Sequence, residues 1–234
     1  MKFLLYGAVM LLGLSAAAYE IKVALFPLQE TQIAARLDSI VMPYRFKTGE
    51  QFKKGEVICS LDSSRYQLEV DKMSNHYDFA KTTLEDKKNL FANKFTSNYE
   101  LKKAEFDLKL AEIALAEAKL NLSFCSIKAP FDGKITEIMT KEHELCRPGQ
   151  PVLRIINDSK LLATANIPLQ EKKLATPGST ISIKLADNTV VSGTVYEVSP
   201  QLDHRSETIR IKILIDNPGS KITSGITGVL QYGK

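Results

Sequence analysis

The 234-residue sequence predicts a mainly β protein with an α-helical coiled-coil hairpin set inside it. Three observations carry that prediction. Residues 38–61, "DSIVMPYRFKTGEQFKKGEVICSL", align without gaps with residues 132–155, "DGKITEIMTKEHELCRPGQPVLRI", at a single offset of 94. Between the two copies the apolar period changes from two to seven. After Asn157 strict alternation returns. A β-sandwich split by a helical hairpin, followed by a second small antiparallel β domain, accounts for all three.

The chain opens with "MKFLLYGAVMLLGLSAAAYE", in which Lys2 precedes an apolar stretch from Phe3 to Leu14 and the small residues Ala16-Ala17-Ala18. This is the pattern of a secretory signal peptide, residues 1–18, cleaved after Ala18. The apolar run is short for a bilayer span, and an uncleaved anchor is the alternative. No cysteine lies beside the site, which argues against a lipoprotein. Residues 19–35 form a lead-in strand segment, joining the membrane-proximal side and the later β domain.

Residues 36–62 and 124–157 are the two repeat copies. Val41 matches Ile135, Lys47 matches Lys141, Glu50 matches Glu144, and Lys54-Gly55-Glu56 matches Pro148-Gly149-Gln150. Gly55 and Gly149 suit turn positions with positive φ. Neither copy is large enough to bury a core alone, so the two are expected to pack on each other. "FCSIKAPFDGKITEI" (Phe124 to Ile138) reads as a hairpin turning at Asp132-Gly133. Asp38 and Asp132 are expected to bond their own turn backbones.

Residues 63–123 carry heptads. Leu101, Leu108, Leu115 and Leu122 are spaced by seven, with Ala104, Ala111 and Ala118 three residues after the first three. The first arm repeats the pattern with Val70, Tyr77, Leu84 and Phe91, and with Met73 and Ala80. Leucine and alanine seams predict two closely packed antiparallel helices. The other positions are dense in Lys, Glu and Asp, as expected of solvated faces. "ANKFTSN" (Ala92 to Asn98) breaks the heptads, and Thr96, Ser97 and Asn98 are good cap residues for the second arm. Arms of this length reach about 40 Å.

In residues 158–234, "STISIKLADNTVVSGTVYEV" alternates and turns at Asp187-Asn188. "ETIRIKILI" puts Ile209, Ile211, Ile213 and Ile215 on one face. Such strands make a small antiparallel barrel or sandwich.

Several function classes are excluded or disfavoured. A net charge of +4, dispersed along the chain, does not suit nucleic acid. His76, His143 and His204 are far apart, and Met42, Met73 and Met139 do not cluster, so no metal site is expected. Lys72, in "LEVDKMS", lies within the heptads and is a solvated helix residue rather than a modified lysine. No nucleophile–base set or phosphate loop is present, so no enzyme and no cofactor are expected. Cys59, Cys125 and Cys146 are an odd number and read first as small buried side chains. A Cys59–Cys125 bridge stays open, because both flank the helical segment.

The motif "FCSIKAPFDGKI" resembles T-x-I-x-A-P-x-D-G-x-V of the periplasmic adaptor, or membrane fusion protein, family (HlyD-like, efflux RND adaptor type), with Cys125 in the threonine position. "FKKGEVICSLD" resembles that family's first half-motif, and "GTVYEVSPQLDHRSETIRIKILIDNP" with "SGITGVL" its barrel. The resemblance implies a lipoyl-like β-sandwich split by the hairpin and followed by a small antiparallel β-barrel. It implies a periplasmic protein associated with the inner membrane. It also implies three kinds of partner: an inner-membrane transporter, an outer-membrane channel and further copies of the chain in a ring. An RND pump is the expected engine, with an ABC exporter of the type I secretion kind as the alternative. The hairpin tip, Leu90, Asn93, Lys94, Phe95 and Ser97, is the part the resemblance assigns to channel docking. The family's tip pattern runs Arg, Leu four residues on, Ser seven further. Leu90 and Ser97 fit it, whereas Asp86 stands in the arginine position. The barrel pattern ends near Lys234, so the larger members' membrane-proximal domain is expected to be missing or reduced. A coiled-coil scaffold for unrelated partners is the reading from a different class.

Overall fold

The computed structural model describes residues 20–231; the expected signal peptide lies outside the described residues. The chain divides into two compact units, one of residues 27–159 and one built from the chain up to residue 26 and from residue 160 onward.

In chain order the 27–159 unit contains most of β1 (Lys22–Ala34), then β2 (Ser39–Ile40), β3 (Gln51–Phe52), β4 (Val57–Ser60), α1 (Ser64–Ala92), α2 (Asn98–Phe124), β5 (Ser126–Lys128), β6 (Gly133–Ile138), β7 (Leu145–Cys146) and the start of β8 (Pro151–Pro168). The two repeat copies interlock rather than folding side by side. Ser39 and Ile40 pair with Cys146 and Leu145, and their counterparts Gly133 and Lys134 pair with Phe52 and Gln51. The loop bonds obey the same exchange. The Gly49 N–H donates to the Ile135 carbonyl at 2.7 Å, and the His143 N–H to the Val41 carbonyl at 2.8 Å. The Gly55 N–H donates to the Ala129 carbonyl, and the Gly149 N–H to the Ala35 carbonyl, both at 2.8 Å. This reciprocity is a pseudo-twofold relation between the copies. Val41, Ile58, Ile135, Val152 and Ile155 share the resulting core.

Four turns repeat one design: Lys47–Glu50, Lys53–Glu56, Lys141–Glu144 and Arg147–Gln150. In each, the first residue's N–H donates to the last residue's side chain, and the last residue's N–H returns to the first carbonyl. The third residue has positive φ: 90° at Gly49, 85° at Gly55 and Gly149, and 64° at His143. Glycine enters that region freely; a histidine meets its own Cβ there.

Two sequence expectations are corrected. Phe124 to Ile138 is not a hairpin. β5 pairs with β4, whereas β6 pairs with β3 and β8, so residues 129–132 carry the chain from one sheet to another. Pro130, with no N–H to offer, suits that crossing. Gly133 is required by close approach, because a Cβ there would run into the Ile156 carbonyl oxygen. Nor do Asp38 and Asp132 bond their own turns. Asp132 accepts the Lys54 N–H at 2.7 Å. The residue that would serve Asp38 in the same way is Pro148, which has no N–H. Asp38 instead faces Arg65 at 3.6 Å and accepts the Tyr66 hydroxyl through its backbone carbonyl at 3.0 Å.

α1 and α2 pack antiparallel with the seam the heptads predict: Ala80 and Leu84 against Ala104, Ala111, Leu115 and Ala118, all buried. Alanine at the seam lets the backbones approach, which is why Ala111 is only 1% exposed on a two-helix element.

The second unit contains the start of β1, the second half of β8, a 3₁₀ segment (Leu169–Ala175), and β9 (Thr180–Leu185), β10 (Val190–Asp203), β11 (Thr208–Asp216) and β12 (Thr227–Gln231). Their order is β1-β12-β9-β10-β11-β8, antiparallel at each pairing. The alternation on β11 works as read. Ile209, Ile211, Ile213 and Ile215 are buried, while Lys212 reaches Glu197 at 2.9 Å. Asn188 makes the β9–β10 turn at φ 67°. Gly193 on β10 leaves room for the isoleucines of its paired neighbour β11, since a Cβ there would sit 2.5 Å from Ile213 Cγ2.

Candidate functional site

α1 ends in a Schellman turn. The Phe95 N–H donates to the Leu90 carbonyl at 2.8 Å, and the Lys94 N–H to the Phe91 carbonyl at 2.9 Å. The Asn93 side-chain amide donates to the Asn89 carbonyl at 2.8 Å. Lys94 takes the left-handed position at φ 61°, where most helices place glycine. α2 starts on Ser97, whose hydroxyl accepts the Glu100 N–H at 3.2 Å. The Glu100 carboxylate meets Lys87 across the hairpin at 3.3 Å, closing the seam's outer end with an ion pair.

All five sequence-predicted tip residues are thus brought together on one turn, and all are exposed. Their roles differ. Asn93, Lys94 and Ser97 fold the turn. Leu90 and Phe95 present apolar surface, and Phe95 is 79% exposed. Tyr99 adds to that surface, and so does Phe91, which the heptad placed in the seam. The hairpin ends before any residue of α2 reaches across to cover Phe91. Asp86, in place of an arginine, leaves Lys87 and Lys88 as the cations next to the tip.

Among the described residues no group of three or more His, Cys, Asp or Glu is placed to hold a metal ion. Cys59, Cys125 and Cys146 are all free and buried. The Cys59–Cys125 bridge is therefore set aside, because the strand register puts Cys59 opposite Ile127 and leaves Cys125 level with Leu61. Burial pushes the Cys59 thiol up to about 12 and raises Cys125 as well, so neither is a nucleophile at neutral pH. Burial also raises Tyr44, whose hydroxyl donates to the Thr140 carbonyl at 2.8 Å.

Comparison with known proteins bears on the whole arrangement. Residues 29–157 match the model for the RND MFP barrel-sandwich hybrid domain, and residues 163–234 that for the CusB-like beta-barrel domain. The cobalt-zinc-cadmium resistance protein CzcB of Cupriavidus metallidurans is 24% identical over 202 residues, covering 80% of this chain and 39% of that protein. The multidrug resistance protein MdtA of Escherichia coli O45:K1 is 23% identical over 213 residues, covering 79% and 50%. The chain thus spans half or less of the length of these relatives. In fold it resembles a MacA-MexA chimeric protein containing the Pseudomonas aeruginosa MexA alpha-hairpin domain (TM-score 0.79, 18% identity, 91% of this chain and 79% of that one). It also resembles the membrane fusion protein Spr0693 of Streptococcus pneumoniae R6 (TM-score 0.72, 14% identity, 93% and 99%).

Proposed function

Because the chain belongs to the RND membrane fusion protein family, we propose that it is the periplasmic adaptor of a tripartite efflux system, bridging an inner-membrane transporter of the RND type to an outer-membrane channel. The observation that carries this reading is the exposed apolar tip, held in one shape by its own hydrogen bonds at the end of a stalk of about 40 Å. A surface so placed serves contact with another molecule and not the stability of its own fold. In this reading residues 36–62 and 124–157 make a lipoyl-like sandwich split by the hairpin, residues 158–234 make the barrel, and residues 1–18 deliver the chain across the inner membrane. Several copies close into a ring around the exported cargo. No cofactor enters the mechanism: the work is positioning. Among the described residues no helix is long and apolar enough to cross a membrane.

The test is a gene deletion scored for tolerance to drugs and to divalent metals, complemented by the full chain and by Phe95→Asp. The deletion should sensitise cells, the full chain should restore tolerance, and the folded Phe95→Asp protein should not. In-cell crosslinking should recover one transporter and one outer-membrane channel. Recovery of an ABC transporter would replace the RND engine with an ABC one. Recovery of neither, with export intact in the deletion, would leave the scaffold reading.

A further inference from the structure

α1 carries five carboxylates, and four of them have company within the helix. Glu69 meets Lys72 at 3.4 Å, and Asp71 accepts the Gln67 amide at 2.9 Å. Asp78 has Lys81 three residues on. Glu85 has Lys81 four residues before it and Lys88 three after it, the spacings at which helix side chains meet. From Asp86 the same spacings lead to Thr82, Thr83, Asn89 and Leu90, none of them a cation. Among the described residues the exposed Asp86 carboxylate has no ion-pair or hydrogen-bond partner. The helix does not favour it either. Aspartate is a poor helix former, and position 86 lies toward the negative end of the α1 dipole.

The place of this anion matters. At about 100° and 1.5 Å per residue, Asp86 lies about 40° and about 6 Å from Leu90, and within about 20° of Phe79. Leu84, on the seam, is about 160° away around the helix, so α2 does not reach Asp86. Phe79 is 72% exposed and Leu90 41%. An unpaired charge therefore stands between two exposed apolar side chains, on the stripe that runs into the tip. We propose that Asp86 selects the outer-membrane channel by charge: the channel presents a lysine or arginine beside the apolar seat that it offers Leu90. The inference rests on the reading that the tip docks on a channel, and it names the chemistry of that channel's surface.

Desolvation is the reason. A partner that covers Leu90 also takes water from a carboxylate about 6 Å away. A carboxylate that loses its water without gaining an opposite charge weakens binding severely. The hairpin cannot supply that charge itself. Lys87 is engaged with Glu100 at 3.3 Å, and Lys88 lies about 160° around the helix from Asp86. Lys94 stands beyond the helix end, on the turn. The cation must therefore come from the partner, where it also fixes register and excludes partners that oppose a carboxylate to this site. The tip pattern of the family has arginine here, so a channel matched to that pattern is matched to the opposite charge.

The test is charge reversal in the full chain, in the deletion strain, with Asp86→Asn and Asp86→Arg. Purified Asp86→Asn should unfold at an unchanged or slightly higher temperature, because the carboxylate has no partner in the fold. It should bind the channel recovered by in-cell crosslinking about 30-fold more weakly. Asp86→Arg should stay abundant and lose both channel capture and tolerance. Suppressors of Asp86→Arg should map to the channel and replace one lysine or arginine with an acidic residue, and that altered channel should reject the unaltered chain. Full capture and tolerance with Asp86→Arg would overturn the proposal. So would suppressors at a lysine of this chain, which would mean that a second copy covers Asp86. A lower unfolding temperature for Asp86→Asn would assign the carboxylate to the fold and overturn it as well. Phe95→Asp in the same strain separates the two levels. If it loses capture while Asp86→Arg keeps it, the adaptor reading stands and the charge inference falls. If the unaltered chain captures no channel, the adaptor reading falls and takes this inference with it.

Discussion

Replacing Phe95 with alanine separates docking from folding. The ring is 79% exposed. Its backbone N–H, not its side chain, closes the Schellman turn on Leu90. Truncation should therefore cost the folded chain no more than about 0.5 kcal/mol, as for other surface changes. For a chain of this size that is less than about 2 °C in Tm. If a channel covers the ring, the same truncation removes the burial of one aromatic side chain, about 1.5–3 kcal/mol. That corresponds to a loss of about 10-fold to 150-fold in Kd per tip. The assay pairs thermal unfolding of the purified protein with tolerance and channel crosslinking in cells. The expected result is an unchanged Tm, normal abundance, and a loss of both tolerance and channel capture. Full tolerance and full capture with Phe95→Ala would refute the assignment of the tip to docking. A fall of several degrees in Tm would refute the claim that the side chain is idle in the fold.

Other predictions concern the repeat, the second β unit and the thiols. His143→Gly relieves the left-handed position at φ 64° and should raise stability by about 1 kcal/mol in denaturant unfolding, whereas Gly149→Ala at φ 85° should lower it by a similar amount. Gly193→Ala forces a Cβ against Ile213 and should cost about 1–3 kcal/mol, seen as a lower urea midpoint. Burial raises the Cys59 thiol from 9.0 to about 12, so native protein at pH 8 should resist alkylation there and label only on unfolding. The folded state favours the protonated thiol. Its contribution to stability is therefore full below pH 9.0 and is lost as pH rises through the window to about 12, which unfolding curves taken across that range should show.

The features legible in the sequence were those set by periodicity. A seven-residue period over both arms fixes the seam, because only one helical face can be buried against one partner. Ile209, Ile211, Ile213 and Ile215 fix β11's inward face for the same reason. The 94-residue offset was legible, and with it the packing of the two copies on each other, but the exchange of strands between them was not. Strand pairing within a copy and between copies gives the same sequence pattern, and only the three-dimensional exchange distinguishes them. The tip was found from cap residues and from resemblance. Its turn type was hidden, because Lys94 stands where glycine would have announced it.

Where the hairpin leaves the unit, one asymmetry of the repeat becomes useful. A stalk transmits position only if its base cannot pivot. β4 and β5 are paired neighbours, and the Leu61 N–H donates to the Cys125 carbonyl at 2.7 Å, so the two helices depart from adjacent, bonded points. That alone would still allow a swing about the β4–β5 line. Arg36 lies 4.8 Å over the ring of Phe124, at the end of α2. Tyr66 and Arg65, in the first turn of α1, hold Asp38. Both helix ends are thus tied to the stretch between β1 and β2. Asp38 is free for this because Pro148 offers no N–H where Lys54 offers one to Asp132. In the second copy the aspartate braces a turn; in the first it braces the stalk. A single imino residue therefore lets two half-motifs of matching topology do different mechanical jobs.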